Sequence, residues 1–248
     1  MKDFQSFTCK FVRTRPNLIM HRRRVRMEVD MFKAAIFDLD GTVLDTVESI
    51  ATAGNRMLEA LGMQPFPIEN YKYYAGDGAD TLVRRALKKA GDTELTHFEE
   101  GLRIYREFFK TDCNYHVRAF PGMKETLQIM KERGMKLGIV SNKPNQAALD
   151  VVAEFYEDLF DAVLGHREDI PKKPNPAGTL QMAKDFGVTP EQCIYVGDTN
   201  TDMQTGKGAG MYTVGVLWGF RDRKELEENH ADVIIERPEE LLEIVQGK

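Results

Sequence analysis

Two aspartates, Asp38 and Asp40, stand two residues apart in the segment FDLDGT at positions 37–42, after an apolar run and before a glycine. Carboxylates this close raise each other's pKa, so a cation, backbone N–H groups or solvent must compensate their charge. Ionised carboxylates serve as nucleophiles, general bases and metal ligands. The pair therefore marks a candidate catalytic centre, with an ordinary Asx turn that caps a helix as the alternative.

Other polar side chains follow apolar runs or precede helices in IVSNK (139–143), PKKPNP (171–176) and GDTNTD (197–202). Each signal is weak alone: Ser141 is a common helix cap, and Lys172 could serve in place of Lys173. In an open parallel sheet, however, ligands bind outside the carboxyl ends of the strands, so these residues are expected to share one edge. The candidate site residues are Asp38, Asp40, Ser141, Asn142, Lys173, Asp198 and Asp202.

The elements that must position these residues follow from the apolar periodicity. Strands are predicted at 33–40, 136–141, 160–165, 193–198, 212–218 and 232–235, and helices at 124–133, 146–155 and 177–186. This alternation predicts an α/β fold, a Rossmann-like doubly wound parallel sheet. Residues 43–117 show only helical spacing, so we expect a core domain of residues 31–45 and 119–248, with an all-helical domain at 46–118 inserted after strand one.

Composition limits the classes of partner. Residues 1–30 carry eight Lys and Arg against three acids, whereas the remaining chain carries 26 against 36. The acidic body does not favour nucleic acid. For the basic leader we expect a disordered or mis-assigned extension, with RNA contact or organelle targeting as alternatives. No apolar run approaches the roughly 20 residues that span a bilayer. Three scattered cysteines predict neither disulfide nor zinc site and fit a cytoplasmic location.

The segments DLDGT, VSN, KKPNP and GDTNTD resemble, in this order, the four motifs of the haloacid dehalogenase superfamily. From position 31 onward the chain is similar to the phosphatase branch with a helical cap inserted after strand one. YAGDGADTLVRRAL (74–87) and GVLWGFR (215–221) resemble phosphoglycolate phosphatases and their near relatives more narrowly. The resemblance implies a Mg²⁺-dependent hydrolase of a small phosphate monoester, 2-phosphoglycolate first, acting through an aspartyl-phosphate intermediate.

The resemblance also implies residue roles. Asp38 is the expected nucleophile, and Asp40 is expected to protonate the leaving oxygen and later deprotonate the attacking water. Lys173 is a fixed cation that tempers repulsion between Asp38 and the phosphate dianion. The phosphoryl oxygens are expected to bind the backbone N–H groups of Gly41 and Thr42, together with Ser141 and Lys173, and Asn142 is expected to be an extra donor.

The implied Mg²⁺ ligands are the Asp38 side chain, the Asp40 backbone carbonyl and Asp198. Asp202 is expected to orient a metal-bound water or to pair with Lys173. The loop AGDGAD (75–80) either binds a second anion or is a plain interhelical turn. The histidines His97, His116, His166 and His230 are expected to be structural.

Several functions remain open. A phosphomutase similar to β-phosphoglucomutase needs the same two aspartates, and a pyrophosphatase or nucleotidase fits the same branch. A non-catalytic phosphate-binding module is disfavoured, because the nucleophile, acid, lysine and metal aspartate are all present. The expected partner is a small phosphate ester, with neither nucleic acid nor membrane, and the expected assembly is a monomer or homodimer.

Overall fold

The structure is a computed structural model that describes residues 32–246, so the prediction about the leader at 1–30 lies outside the described residues. Its strands are β1 (Ala34–Phe37), β2 (Leu44–Asp45), β3 (Arg118–Ala119), β4 (Lys136–Pro144), β5 (Ala162–His166), β6 (Cys193–Gly197), β7 (Tyr212–Val216) and β8 (Val233–Ile235). Six of these strands form one sheet in the order β5-β4-β1-β6-β7-β8, and every neighbouring pair is parallel. The predicted parallel sheet is confirmed.

Ten α-helices complete the described chain. They are α1 (Val47–Ala60), α2 (Ile68–Tyr74), α3 (Ala79–Lys89), α4 (Phe98–Asp112), α5 (Met123–Glu132), α6 (Asn145–Tyr156), α7 (Ala177–Asp185), α8 (Asn200–Ala209), α9 (Arg223–Glu228) and α10 (Leu241–Ile244). Alternate residues of a strand point to opposite faces. Accordingly Ala35 and Phe37 of β1 pack in a core with α5 and α6, whereas Ala34 and Ile36 pack in a core with α7. The sheet is doubly wound.

Helices α1–α4, here called the helical segment (residues 47–112), have a core of their own. Apolar residues recur at helical spacing on each helix, so their buried faces meet away from the sheet. The segment is joined to the sheet through a short antiparallel ribbon in which Leu44 pairs with Ala119 and Asp45 with Arg118. This ribbon was not predicted from the sequence, because two-residue strands have no detectable periodicity.

The strand order reverses at β1. The chain runs from β1 outward through β4 to β5, and then returns to β6 on the other side of β1. At such a reversal, the loops beyond the carboxyl ends separate and leave a crevice. The predicted first strand was too long: β1 ends at Phe37, so both aspartates lie in the turn beyond it rather than in the strand.

Candidate active site

The chain turns back directly after β1. The carbonyl oxygen of Leu39 accepts the N–H groups of Val43 and Leu44, both at 3.1 Å. The N–H group of Gly41 donates to the carbonyl oxygen of Leu44 at 2.8 Å. Buried Leu39 fixes this turn in the core. The turn thus holds Asp38 and Asp40 at the carboxyl edge of the central strand.

These turn hydrogen bonds contradict one prediction. The N–H groups of Gly41 and Thr42 were expected to hold a phosphoryl group, but they already donate to Leu44, at 2.8 Å, and Leu39, at 3.3 Å. Within residues 32–246, no acceptor is found for the N–H groups of Leu39 and Asp40. The available donors at this edge therefore lie two residues earlier in the chain than predicted.

Gly41 is required by its surroundings. Its φ is +87°, and a Cβ at this position would lie 2.3 Å from Oδ2 of Asp198. Gly219, in the loop after β7, is equally close: a Cβ there would lie 2.4 Å from Cβ of Asp198. Because these contacts are too short for any side chain, the two glycines let the β1 and β7 loops close around Asp198.

Lys173 lies between two buried carboxylates. Its Nζ is 2.7 Å from Oδ1 of Asp38 and 2.7 Å from Oδ1 of Asp202. Burial raises the pKa of Asp38 well above its usual range, and Asp202 adds to that rise while Lys173 opposes it. Burial lowers the pKa of Lys173, but the two carboxylates outweigh it and hold that pKa above its ordinary value. The ammonium is therefore held as a cation between the two carboxylates.

Asp198 follows β6 and is fully buried. Its oxygens accept hydrogen bonds from the Thr42 hydroxyl, at 2.8 Å, and from the Phe220 N–H group, at 2.7 Å. Burial raises the pKa of Asp198 to about 7, with Asp202 adding to the rise and the bond from Phe220 opposing it. A carboxylate held this way is oriented but poorly neutralised by the protein itself.

Asp202 stabilises the start of α8. Its Oδ2 accepts from the N–H groups of Asp198 and Thr199 and from the Thr199 hydroxyl, at 3.2, 3.0 and 2.7 Å. Its Oδ1 accepts from Lys173. Oδ2 of Asp202 accepts three hydrogen bonds and Oδ1 is paired with Lys173, whereas each oxygen of Asp198 accepts a single hydrogen bond. Asp38 and Asp198 therefore keep more lone pairs for a ligand than Asp202 does.

The aspartate cluster fits a divalent cation. Oxygens of Asp38, Asp198 and Asp202 lie within 4.8 Å of one another, and all three residues are buried. Only one ammonium, that of Lys173, contacts the cluster within residues 32–246. Three buried carboxylates against one cation leave an excess of negative charge, which a hard cation with oxygen ligands offsets.

Asp40 has a different partner. Its Oδ1 lies 2.9 Å from Nζ of Lys143, and the Lys143 side chain is only 1% exposed. Lys143 ends the run IVSNK, but no role was predicted for it. The sequence did show that Lys143 directly follows two predicted site residues, Ser141 and Asn142, at the end of the same strand. It did not show that the Lys143 side chain is buried.

The side-chain amide of Asn142 has its partners within the chain. Asn142 was expected to donate to a phosphoryl group, but its Nδ2 donates to the carbonyl oxygens of Gly76, at 3.1 Å, and Lys173, at 3.2 Å. Its Oδ1 accepts from the Lys173 N–H group at 2.9 Å. The amide is fully used to position the Lys173 loop. Ser141, in contrast, accepts from the Lys143 N–H group and lines the cavity described next.

The helical segment closes over this edge. Its loop between α2 and α3 contacts the sheet domain through Gly76, as above, and through Ala75, whose carbonyl oxygen accepts from Arg221 at 3.0 Å. The Thr201 hydroxyl donates to Asp77 in the same loop. The two alternatives for this loop were an anion site and a plain interhelical turn. In the structure the loop holds the helical segment against the residues of the sheet domain.

A cavity of about 640 Å³ lies beneath the loop. Its floor contains Asp38 and Asp40, and its walls are largely apolar, with Tyr105 and Phe109 of α4 on one side. His166, expected to be structural, also lines the cavity, and its buried Nδ1 has no hydrogen-bond partner among the described residues. The arrangement places the carboxylates of Asp38 and Asp40 and the Lys143 ammonium in the lining of a mostly apolar pocket.

Comparison with known proteins decides the family. The model of the family described as haloacid dehalogenase-like hydrolase matches residues 35–216, which include every candidate site residue. The chain belongs to the haloacid dehalogenase-like hydrolases. It is 33% identical over 223 residues to a phosphoglycolate phosphatase of Haemophilus influenzae, covering 86% of this chain and 98% of that one. A phosphoglycolate phosphatase of Nitrosospira multiformis is 31% identical over 86% of this chain and 96% of its own.

A solved structure agrees. The crystal structure of a candidate phosphoglycolate phosphatase from Lactobacillus delbrueckii superposes with a TM-score of 0.83 at 32% identity, covering 88% of this chain and 100% of that one. The predicted family, a haloacid dehalogenase superfamily hydrolase similar to phosphoglycolate phosphatases, is confirmed, and with it an enzyme of the phosphoric monoester hydrolase class. Between residues 32 and 246, no helix of this haloacid dehalogenase-like hydrolase has the length and apolarity to cross a membrane.

Besides Lys143, two residues of this haloacid dehalogenase-like hydrolase were missed, Phe220 and Arg221, and Thr42 was predicted in a different role. Thr42 contributes its hydroxyl rather than its N–H group, and Phe220 and Arg221 follow β7. The segment GVLWGFR had been noted only for its resemblance, because its contacts with Asp198 and the α2–α3 loop depend on the folded chain.

Proposed function

We propose that this protein is a Mg²⁺-dependent phosphatase that hydrolyses a small phosphate monoester, with 2-phosphoglycolate as the first candidate substrate. The observation that carries the proposal is the environment of the buried Asp38 carboxylate. Its Oδ1 lies 2.7 Å from Nζ of Lys173, and oxygens of Asp38, Asp198 and Asp202 lie within 4.8 Å of one another. The likeness to phosphoglycolate phosphatases supports the choice of substrate.

The first step assigned to the chain is attack by Asp38 on phosphorus, with loss of the alcohol and formation of an aspartyl-phosphate. Splitting the hydrolysis in this way replaces one very slow step by two faster ones. Lys173 tempers the repulsion between Asp38 and the incoming phosphate dianion. Ser141 and the N–H groups of Leu39 and Asp40 are the donors that we assign to the phosphoryl oxygens.

Asp40 is the proposed acid and base. It protonates the leaving oxygen in the first step and takes a proton from the attacking water in the second. Its carboxylate lines the same cavity as Asp38 and lies outside the Asp38–Lys173–Asp202 contacts. This separation lets one acid act as nucleophile while the other exchanges a proton.

Mg²⁺ would be held by the Asp38 and Asp198 side chains and the Asp40 backbone carbonyl, with Asp202 positioning Lys173. When bound, it supplies positive charge to the transferring phosphoryl group. Thr42 and the Phe220 N–H group orient Asp198 for this purpose. Mg²⁺ is proposed over softer ions because the available donors are carboxylate and carbonyl oxygens alone.

The test is phosphate release from 2-phosphoglycolate by chelator-treated protein, before and after Mg²⁺ is restored. We expect release only with Mg²⁺, a phosphoryl adduct on Asp38 in acid-quenched protein, and a loss of about 10³-fold or more in kcat for Asp38→Asn. Asp150→Asn is the matched control, since Asp150 is an exposed acid that lines the same cavity. Unchanged release by Asp38→Asn would remove the nucleophile from the proposal.

A second candidate rests on the cavity. A volume of about 640 Å³ with apolar walls is in the range that holds drug-sized ligands, and exceeds what a two-carbon leaving group fills. This favours a larger leaving group, as in a sugar phosphomutase or a nucleotidase. Assays with hexose phosphates, with and without a bisphosphate activator, and with nucleoside monophosphates and pyrophosphate separate these activities from phosphoglycolate hydrolysis.

The expected partner is a small phosphate ester, and a cytoplasmic location and a monomeric or homodimeric state remain predictions. Light scattering of the full chain measures the oligomeric state. The proposed division into a core domain and a cap at 46–118 predicts that the helical segment opens to admit substrate, which hydrogen exchange of the α2–α3 loop measures.

A further inference from the structure

Lys143 is a buried ammonium that the proposed reaction does not use. It lies near the end of β4, with its side chain 1% exposed and its Nζ 2.9 Å from Oδ1 of Asp40. Across residues 32–246, that oxygen is the one hydrogen-bond acceptor found for Nζ, although an ammonium has three N–H donors. The remaining donors need acceptors that the described chain does not supply.

The surroundings of Nζ are apolar. The ring of Phe109 lies 4.7 Å from Nζ, and Ile50, Leu82 and Tyr105 line the same cavity. A charged donor in such surroundings is costly when unpaired, and it attracts an anion more strongly than it would in water. Lys143 itself lines the cavity, so an acceptor carried by the ligand can reach it.

We propose that Lys143 binds a second anionic group of the substrate, a carboxylate attached close to the ester oxygen. This inference rests on the proposed function, because it takes Asp40 as the residue that contacts the leaving oxygen. If Oδ1 of Asp40 lies at hydrogen-bond distance from that oxygen, Nζ lies within roughly 6 Å of the ester oxygen, because the path consists of two hydrogen bonds. A carboxylate one carbon away from the ester oxygen falls inside this reach.

The other cationic groups of the cavity are less suited to this role. Arg106 pairs with Asp80 and Arg167 pairs with Asp169, and both arginines are about half exposed. Lys110, on α4, is exposed. Of the cations in the described cavity lining, Lys143 is the buried one beside Asp40, and it selects 2-phosphoglycolate over an alkyl phosphate that lacks the carboxylate.

The experiment compares kcat/KM for 2-phosphoglycolate and for ethyl phosphate, two substrates with two-carbon leaving groups that differ in the carboxylate. We expect Lys143→Met to lower the ratio of the two kcat/KM values by about 10- to 100-fold, the usual effect of losing a hydrogen bond to a charged group. Lys143→Arg should retain part of the preference, since it keeps the charge. Lys110→Met is the control and should leave the ratio unchanged.

An equal loss for both substrates in Lys143→Met would overturn the proposal, because Lys143 would then act only through Asp40 or the fold. An unchanged ratio would overturn it as well. If the wild-type protein hydrolyses neither compound, the proposed function fails, and calorimetric binding of the two compounds with Mg²⁺ still tests Lys143. Binding of 2-phosphoglycolate that is no tighter than that of ethyl phosphate, or that survives Lys143→Met, would then refute the inference.

Discussion

Replacing Lys173 by methionine removes the ammonium that separates two buried carboxylates. Its Nζ is 2.7 Å from both Asp38 and Asp202, and all three side chains are buried. Methionine keeps the length and the apolar stem, so the change is confined to the charge and its hydrogen bonds. Removing one partner of a buried ion pair leaves an unpaired charge, and we expect the metal-free protein to lose about 3–5 kcal/mol of unfolding free energy near neutral pH.

The loss should depend on pH in a defined direction. Burial raises the pKa of Asp38, and Lys173 opposes that rise, so the variant should have a higher Asp38 pKa than the wild type. The folded variant then holds a proton that the unfolded chain, with an aspartate pKa of about 4, releases. Its stability therefore falls as pH rises between these two values, and the deficit relative to the wild type should be smaller near pH 5 than near pH 8.

Urea unfolding in the presence of a chelator measures both effects, and Lys172→Met is the matched control. The Lys172 side chain is 30% exposed and lies 3.6 Å from Asp80, so this surface pair should contribute only about 0–1 kcal/mol. Activity assays should show a large loss for Lys173→Met and little for Lys172→Met. The reasoning is refuted if Lys173→Met costs no more than Lys172→Met, or if its deficit does not change with pH.

Three further predictions concern neighbouring residues. The metal-free wild type should lose stability as pH rises from about 4 to about 7, because burial raises the pKa of Asp198 from about 4 in the unfolded chain to about 7 in the folded protein. Saturating Mg²⁺ should flatten this slope in urea titrations, and stability that rises over this range would contradict the prediction. Gly41→Ala should weaken Mg²⁺ binding by at least about tenfold, because the added Cβ would lie 2.3 Å from an Asp198 oxygen. Calorimetry measures this affinity, and an unchanged value would show that the Asp198 side chain can move away without loss of the metal. Arg221→Met should raise KM about tenfold, because it removes the hydrogen bond to the Ala75 carbonyl oxygen. Arg223 is half exposed, and Arg223→Met should have the KM of the wild type. Equal KM values for the two variants would exclude a role for the Arg221–Ala75 contact.

The sequence predicted where the main acids lie because a topological rule places them. Alternating strands and helices imply a parallel sheet, and parallel strands bring their carboxyl ends to one edge. Asp38 and Asp198 follow such strands, and the structure brings their oxygens within 4.8 Å of each other and of Asp202. Lys173 does not follow a strand. Its segment KKPNP is the third of the four family motifs, and this place in the motif order predicted that Lys173 lies at the same edge.

The use of individual hydrogen bonds could not be predicted in the same way. The N–H groups of Gly41 and Thr42 were expected to bind phosphate, but they close the turn on Leu39 and Leu44. Asn142 was expected to donate to substrate, but its amide holds the Lys173 loop. Each polar group has one set of partners in the folded chain, and sequence spacing shows which groups meet but not which bonds they form.

The two aspartates in the turn after β1 differ in their partners, and this difference explains how two carboxylates can lie so close together. Asp38 faces Lys173 in a buried cluster, where burial raises its pKa and a cation is needed to keep it ionised. Asp40 is paired directly with Lys143, whose ammonium also lies beside the apolar ring of Phe109. Two carboxylates with separate counter-charges can take separate chemical roles, one as a nucleophile and one as a proton carrier. Replacing the counter-charge of Asp40 by a carboxylate, through Lys143→Glu, should therefore impair the step that depends on Asp40. Formation of the phosphoryl adduct on Asp38 from an ester with a good leaving group should be affected far less, and rapid acid quench measures this adduct.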